Sequence, residues 1–238
     1  MIKKFLKFIL NSIGLEKVGH SKSVSLNSAF RRISTKNIPI KTVIDIGASN
    51  GCWTKVAKKY FPNASYFLVE ANPYHLRSLE NFKSSVQNVD FILAAAGDTD
   101  GEIYFDASDP FGGVAFYEDK QGLNNKVLAV KIDSICKDKK LQSPYLLKLD
   151  THGFEIPIFE GAAMTLEKVN LVIVETYNFD IAKNSLRFHQ ICQYLEEKGF
   201  RCIDICEPLF REKDNALWQF DLFFMRADHS IFANNSWQ

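Results

Sequence analysis

From residue 42 onward, short apolar runs alternate with amphipathic stretches, and this alternation narrows the fold more than any other feature of the sequence. "TVIDIG" is an apolar run that ends at Gly47, and "CWTKVAKKYFP" has helical spacing and is closed by Pro62. "SYFLVE" follows, then "NPYHLRSLENFKSS", a helix opened by Asn72 with Pro73 in its first turn. "VDFILAAAG", "YLLKLD" and "NLVIVET" are three further apolar runs. Between them lies "GFEIPIFEGAAMTLEK", a helical pattern interrupted by Pro157, and after them "LRFHQICQYLEEKG", stopped by Gly199. Runs that are apolar at every position, not at every second one, belong to strands buried on both faces. The expected fold is therefore α/β, with a mostly parallel sheet covered by helices on both sides. Two stretches depart from the alternation. "GEIYFDASDPFGGVAFYEDKQGLNNKVLAVKID" carries strand-like ends, "EIYFD" and "VLAVKI", around a glycine- and phenylalanine-bearing loop from Asp106 to Lys126. Loops of that length are usually functional or disordered, so this one is expected to close part of a substrate cleft. At the carboxyl end, "FRCIDIC" and "WQFDLFFMRA" have no helix between them and are expected to pair antiparallel.

The chain has 238 residues, enough for one large domain, with 46% hydrophobic and 24% charged residues, as a packed core requires. Its 29 basic and 28 acidic residues leave no electrostatic footprint for nucleic acid. The odd count of five cysteines, with no secretory signal ahead of them, points to a reduced, cytoplasmic protein. Cys202 and Cys206 are expected on one face of a strand, as two small apolar groups or, less favourably, as metal ligands. Residues 1–40 read as an N-terminal helical segment, 41–228 as the main domain and 229–238 as a tail. In the first segment Ile2, Phe5, Leu6, Ile9 and Ile13 recur at helical spacing, with Lys3, Lys4 and Lys7 on the other side. The run is shorter than the ~20 apolar residues that span a bilayer. Residues 1–14 either pack on the body of the protein or lie on an anionic membrane surface, which would place the protein at the inner face of the membrane.

The strand-to-helix turn "DIGASNG" carries the first chemical signal. In open parallel sheets, ligands sit outside the carboxyl ends of the strands. Gly47 and Gly51 would let the backbone approach a ligand, and Ala48 and Asn50 would line the loop. The next strand ends in Glu70, where a carboxylate typically holds the ribose hydroxyls of a nucleotide. Asn72 is expected near the ribose or the adenine. Ala95 and Ala96 would give the adenine a flat wall, and Asp98 would accept from its amino group or close a turn. The loop lacks the middle glycine of the dinucleotide fingerprint and places Asp45 two residues before Gly47. A carboxylate there repels a pyrophosphate and attracts an ammonium or a sulfonium, so S-adenosylmethionine is favoured over NAD. An NAD-linked or nucleotide-sugar enzyme and a binding module without turnover remain the alternatives.

These motifs together resemble the class I methyltransferase fold and, within it, the FkbM family. "VIDIGASNG" is similar to that family's first motif and "LLKLDTHGFEIPIFEGA" to its second, and "LVIVET" and "FDLFFMR" also fit. Ser49 stands where many members have asparagine, and His152 where many have glutamate. The resemblance spans residues 40 to 227 and implies a Rossmann-like sheet, mostly parallel with a C-terminal antiparallel pair. It also implies methyl transfer from S-adenosylmethionine to a hydroxyl, often that of a sugar in a glycan or natural product.

An aliphatic hydroxyl needs a base to take its proton as it attacks. "LDTHGFE" and the fifth strand offer Asp150, His152, Glu155 and Glu175 near the methyl. His152 is the expected base, because an unperturbed imidazole titrates near working pH. Asp150 and Glu175 end buried strands, where an unpaired carboxylate is expensive, so each is expected to bind something. Together with His152 they could hold Mg²⁺ or Mn²⁺, but no dedicated metal motif is present and an ion is not expected. His75, like His20, His189 and His229, is assigned a surface or packing role.

Overall fold

The structure is a computed structural model that describes residues 23–118, 125–183 and 185–236. The amphipathic stretch within residues 1–14, and with it the membrane expectation, lies outside these residues, as does His20.

Seven strands form the central sheet: β1 (Thr42–Ile46), β2 (Ser65–Glu70), β3 (Val89–Leu93), β8 (Tyr145–Leu149), β9 (Val169–Tyr177), β10 (Phe200–Phe210) and β11 (Leu217–Arg226). Their order is β10-β11-β9-β8-β1-β2-β3. β1, β2, β3, β8 and β9 pair parallel, while β11 is antiparallel to both of its neighbours. The chain leaves β1 toward β2 on one side and returns to β8 on the other, so the switch point where ligands bind lies between the tips of β1 and β8.

The apolar runs are explained by what covers the sheet. Successive residues of β1 enter opposite layers. Val43 joins Phe30, Leu68, Leu146 and Phe223, and Ile44 joins Phe67, Leu147, Phe159 and Val172. The first layer packs under α1 (Leu26–Ser34), α2 (Cys52–Ala57) and α3 (Leu76–Ser85). The second packs under α4 (Ile132–Asp138), α5 (Glu155–Glu160), α6 (Ala163–Leu166) and α7 (Phe188–Glu197). α1 is held by Phe30, whose ring meets those of Trp53, Tyr60, Phe61 and Phe223. Arg32 fastens it to β10 through two bonds to Asp204, of 2.7 and 2.8 Å.

Three sequence expectations need correction. "VDFILAAAG" is not one strand: it breaks at Ala94, and β4 (Ala95–Ala96) leaves the central sheet to pair with β7 (Lys126–Val130). With β5 (Gly101–Asp106) and β6 (Val114–Phe116) these strands make a second sheet in the order β4-β7-β5-β6. The single helix expected around Pro157 is instead two short ones, α5 and α6, with Pro157 in the first turn of α5, where its missing N–H is tolerated. The break falls at Gly161 because a Cβ there would lie 1.9 Å from the carbonyl oxygen of Gly97. Cys202 and Cys206 do not share a face either. The β10–β11 register shifts between Cys202 and Asp204, and such a bulge inverts the alternation, so Cys206 is buried and Cys202 exposed. All five cysteines are free. Among the described residues, no helix is long and apolar enough to cross a membrane.

Candidate active site

A cleft of about 370 Å³ opens at the switch point, within the size range of small-molecule sites. The expected cofactor residues Gly47, Ala48, Asn50, Glu70, Asn72, Ala95 and Ala96 line it, as do the catalytic candidates Asp150 and His152. Asp45, Gly51, Asp98 and Glu175 do not.

Glu70 ends β2 and is buried, yet both of its oxygens are occupied by backbone. Oε2 accepts from Ser49 N at 2.6 Å and Oε1 from Asn72 N at 2.7 Å. The carboxylate thus ties the glycine loop to the turn after β2, and its remaining lone pairs are available to hydroxyl groups. Ala94, Ala95 and Ala96 form a small-residue wall beyond it, with Phe154 nearby. Trp53, which also lines the cleft, carries a buried Nε1 donor with no protein partner. A nucleoside bearing an amino-acid tail fits such a donor set: a carboxylate for ribose hydroxyls, a flat apolar wall for a base, and an indole N–H for an acceptor.

Asp45 is a correction. Its side chain has no solvent exposure and points into the fold, where Thr54 Oγ1 donates to Oδ2 at 2.6 Å and Lys148 Nζ lies 3.1 Å from Oδ1. With no solvent exposure it does not line the cleft, so of the two expected routes to a ligand ammonium, direct or through water, the direct one is closed. Gly47 is needed for a different reason from the expected one. At φ +70° a Cβ would sit 1.9 Å from the carbonyl oxygen of Asp150, so the glycine admits the tip of β8 beside the cleft. Gly51 likewise admits the ring of Phe82. Asp98 does not line the cleft and accepts from Tyr117 Oη at 2.8 Å.

Beyond β8 the backbone turns left-handed at His152 (φ +50°) and Gly153 (φ +98°), and Glu155 holds this turn by accepting from Gly153 N at 2.8 Å and Thr151 Oγ1 at 3.2 Å. The turn aims His152 back over the sheet. Its Nδ1 is 3.3 Å from the carbonyl oxygen of Gly113. A carbonyl only accepts, so Nδ1 donates to it, and in the neutral imidazole Nε2 is then the nitrogen with the lone pair. Nε2 lies 3.8 Å from Asp150 Oδ1 and 3.7 Å from Glu175 Oε2. Glu175, behind the cleft wall on β9, accepts from Tyr177 Oη and Gln219 Nε2 and shares a hydrogen bond with Asp150. Burial and the Asp150 charge push its carboxyl up to about 8, so it holds a proton at neutral pH. Burial also opposes the charge on Asp150, but Lys148, joined by His152 whenever that ring is protonated, outweighs it and holds the carboxyl below the usual range. Asp150, His152 and Glu175 place one potential ligand atom each within 4.8 Å of the others. Lys148, 3.2 Å from Asp150 Oδ2, already compensates this charge, and no ion is assigned here.

The roof of the cleft was only partly legible in the sequence. Consecutive carbonyls of the β5–β6 loop are held down by side chains from the strand tips: Asn72 Nδ2 at 3.2 Å from Asp109 O, and His75 Nε2 at 2.7 Å from Pro110 O. His75 is therefore a buried cleft residue and not a surface one. Its signal was its place three residues after Asn72, in the turn Pro73–His75. Phe111 lines the mouth of the cleft at 65% exposure, against the His75 ring, while Phe116 stacks on Tyr104 across β5 and β6. Lys148, mid-way along an apolar run, was the residue that sequence reading missed altogether.

A mostly parallel sheet with an antiparallel β11 and a cleft at its switch point define an α/β fold of the methyltransferase class. The Methyltransferase FkbM domain matches residues 45–202, and the chain belongs to that family of S-adenosylmethionine-dependent methyltransferases. Among solved structures, it is similar to a methyltransferase FkbM from Methylobacillus flagellatus KT, at 13% identity and a TM-score of 0.53. That match covers 77% of this chain and 43% of the other, so the chain spans less than half the length of that protein. It is also similar to a precorrin-6y C5,15-methyltransferase from Geobacter metallireducens GS-15 (12% identity, TM-score 0.43, 86% of this chain and 92% of that one). No curated protein matches it in sequence.

Proposed function

We propose that the protein is an O-methyltransferase acting on a hydroxyl of a sugar, a glycan or a related hydroxylated metabolite. The observation that carries this reading is His152, whose Nε2 lone pair is set by the Nδ1 contact to Gly113 O and lies beside Asp150 at the mouth of the cofactor cleft. S-adenosylmethionine supplies a methyl group on a sulfonium when bound. Glu70, Asn72 and the Ala94–Ala96 wall would hold its nucleoside, and Trp53 Nε1 would meet its amino-acid end.

The remaining chemistry belongs to the chain. His152 accepts the hydroxyl proton at Nε2, and Asp150 stabilises the resulting imidazolium across 3.8 Å. Glu175, pushed up to about 8 by burial and the Asp150 charge, donates to Asp150 and steadies that carboxylate. A hydroxyl needs this assistance because its proton must leave during attack, whereas a more basic acceptor such as an amine needs less. The roof loop closes over both halves, and Phe111, exposed at its tip, offers a ring face to a sugar. If residues 1–14 lie on a membrane, the acceptor is a lipid-linked glycan precursor at the cytoplasmic face.

The test is transfer of isotopically labelled methyl to glycans and polar metabolites from cells lacking the gene, with the product located by mass spectrometry. Label on a sugar oxygen supports the reading. Label on nitrogen or carbon, or on nucleic acid, would overturn it.

A further inference from the structure

The buried ammonium of Lys148 joins the end of β1 to the residue that follows its own strand, β8. It donates to the carbonyl of Gly47 at 3.0 Å, approaches that of Ile46 at 3.5 Å, and lies 3.1 Å from Asp45 and 3.2 Å from Asp150. Its side chain is only 5% exposed, and Nζ also lies 5.6 Å from the Trp53 ring centroid. We infer that Lys148 is the positioning residue of this site, a single ammonium that locks the glycine loop of the cofactor half to Asp150 of the acceptor half. The inference concerns the shape of the site in the free protein, and only the assignment of the two halves rests on the proposed function.

A lysine is costly at such a depth unless it is fully paired. Neutralising Asp45 alone would need one contact. The observed geometry instead divides the charge between a carboxylate with no solvent exposure and one that faces the cleft, and adds the loop carbonyl between them. Burial lowers the tendency of Lys148 to stay charged, yet Asp150 and Asp45 together hold it above an ordinary lysine. The same contacts explain why Asp45 precedes the loop although it does not line the cleft: it is the rear anchor of Lys148. The groups facing Asp150 are Lys148 on its own strand, Asp45 on β1, His152 in the following turn, Glu175 on β9 and Asp221 on β11. Lys148 is the one lysine or arginine among them.

The experiment compares Lys148→Met with the double variant Asp45→Asn/Lys148→Met, both free of cofactor. The single variant leaves the buried Asp45 with Thr54 as its remaining side-chain partner and removes the ammonium beside Asp150, and is expected to melt well below the wild type. The double variant removes the rear charge as well and is expected to recover most of that loss. In the double variant, hydrogen exchange at the Gly47–Gly51 amides should nevertheless remain at least about tenfold faster than in the wild type, the scale of one lost charge-assisted bond. The ¹³C carboxyl signal of Asp150 should titrate about one unit or more higher, since an adjacent cation lowers such a group by that much. A lysine that merely neutralises Asp45 predicts the opposite. Wild-type loop protection and an unmoved Asp150 titration in the double variant would overturn the assignment. Binding of S-adenosylhomocysteine by the wild type is measured separately. Its absence would remove the cofactor reading and leave the exchange result to decide the role of Lys148.

Discussion

Glu70 is where cofactor binding and loop order meet, and Glu70→Gln separates the two. The wild-type carboxylate receives Ser49 N at 2.6 Å and Asn72 N at 2.7 Å, one on each oxygen. A glutamine keeps one oxygen and turns an NH₂ toward the other amide, so one buried N–H loses its acceptor. That costs ~1–3 kcal/mol of stability. The loss of charge also weakens any hydroxyl bond to the remaining lone pairs, by ~1.5–3 kcal/mol for a charge-assisted bond. S-adenosylhomocysteine should therefore bind at least about tenfold more weakly, since 1.4 kcal/mol is a factor of ten. Isothermal calorimetry gives the affinity and thermal melts followed by circular dichroism give the stability. The two effects have different signatures: an order effect alone lowers the melting temperature and is offset by saturating ligand, whereas a lost ribose contact persists at every temperature where the variant is folded. A folded Glu70→Gln protein with unchanged affinity would refute the placement of the ribose at the tip of β2.

Further outcomes follow from the same geometry. His152→Ala should lower the single-turnover methyl-transfer rate by roughly 10²–10⁴-fold with little change in cofactor affinity, and a near-normal rate would remove this residue from the chemistry. Glu175 has a folded value of about 8, above its unfolded one, so the folded state holds a proton that the unfolded chain releases. Its contribution to stability is present at acid pH and is lost as pH rises through the window from about 4.5 to about 8, and Glu175→Gln should gain ~1 kcal/mol or more relative to wild type across it in pH-dependent melts. A parallel pH dependence in wild type and variant would contradict the assigned protonation. EDTA treatment should leave transfer intact, and activity lost to chelator and restored by Mg²⁺ would shift the mechanism to metal activation. If residues 1–14 lie on a membrane, deleting them should abolish binding to anionic vesicles at low salt while leaving S-adenosylhomocysteine affinity unchanged, and a full-length protein that ignores such vesicles would return the segment to a packing role.

What the sequence determined by itself is the part governed by local rules. Continuous apolar runs require burial on both faces, so the parallel sheet was legible from "TVIDI" through "LVIVET", and the missing crossover before β11 required its antiparallel pairing. A ligand at the switch point follows from topology, so Gly47, Glu70 and Ala95 could be placed on the cleft from their positions at strand ends. Spacing along the chain does not reveal which partner a polar side chain meets. Asp45 and Lys148 look like a ligand residue and an oddity until β1 and β8 lie side by side, with Asp45 in register opposite Lys148. One bulge was enough to reverse the side on which Cys206 falls. His75 became a cleft residue because the loop from Asp109 to Gly113 folds onto it. Burial makes each of these polar groups seek a partner, and only the tertiary structure brings that partner within hydrogen-bonding reach.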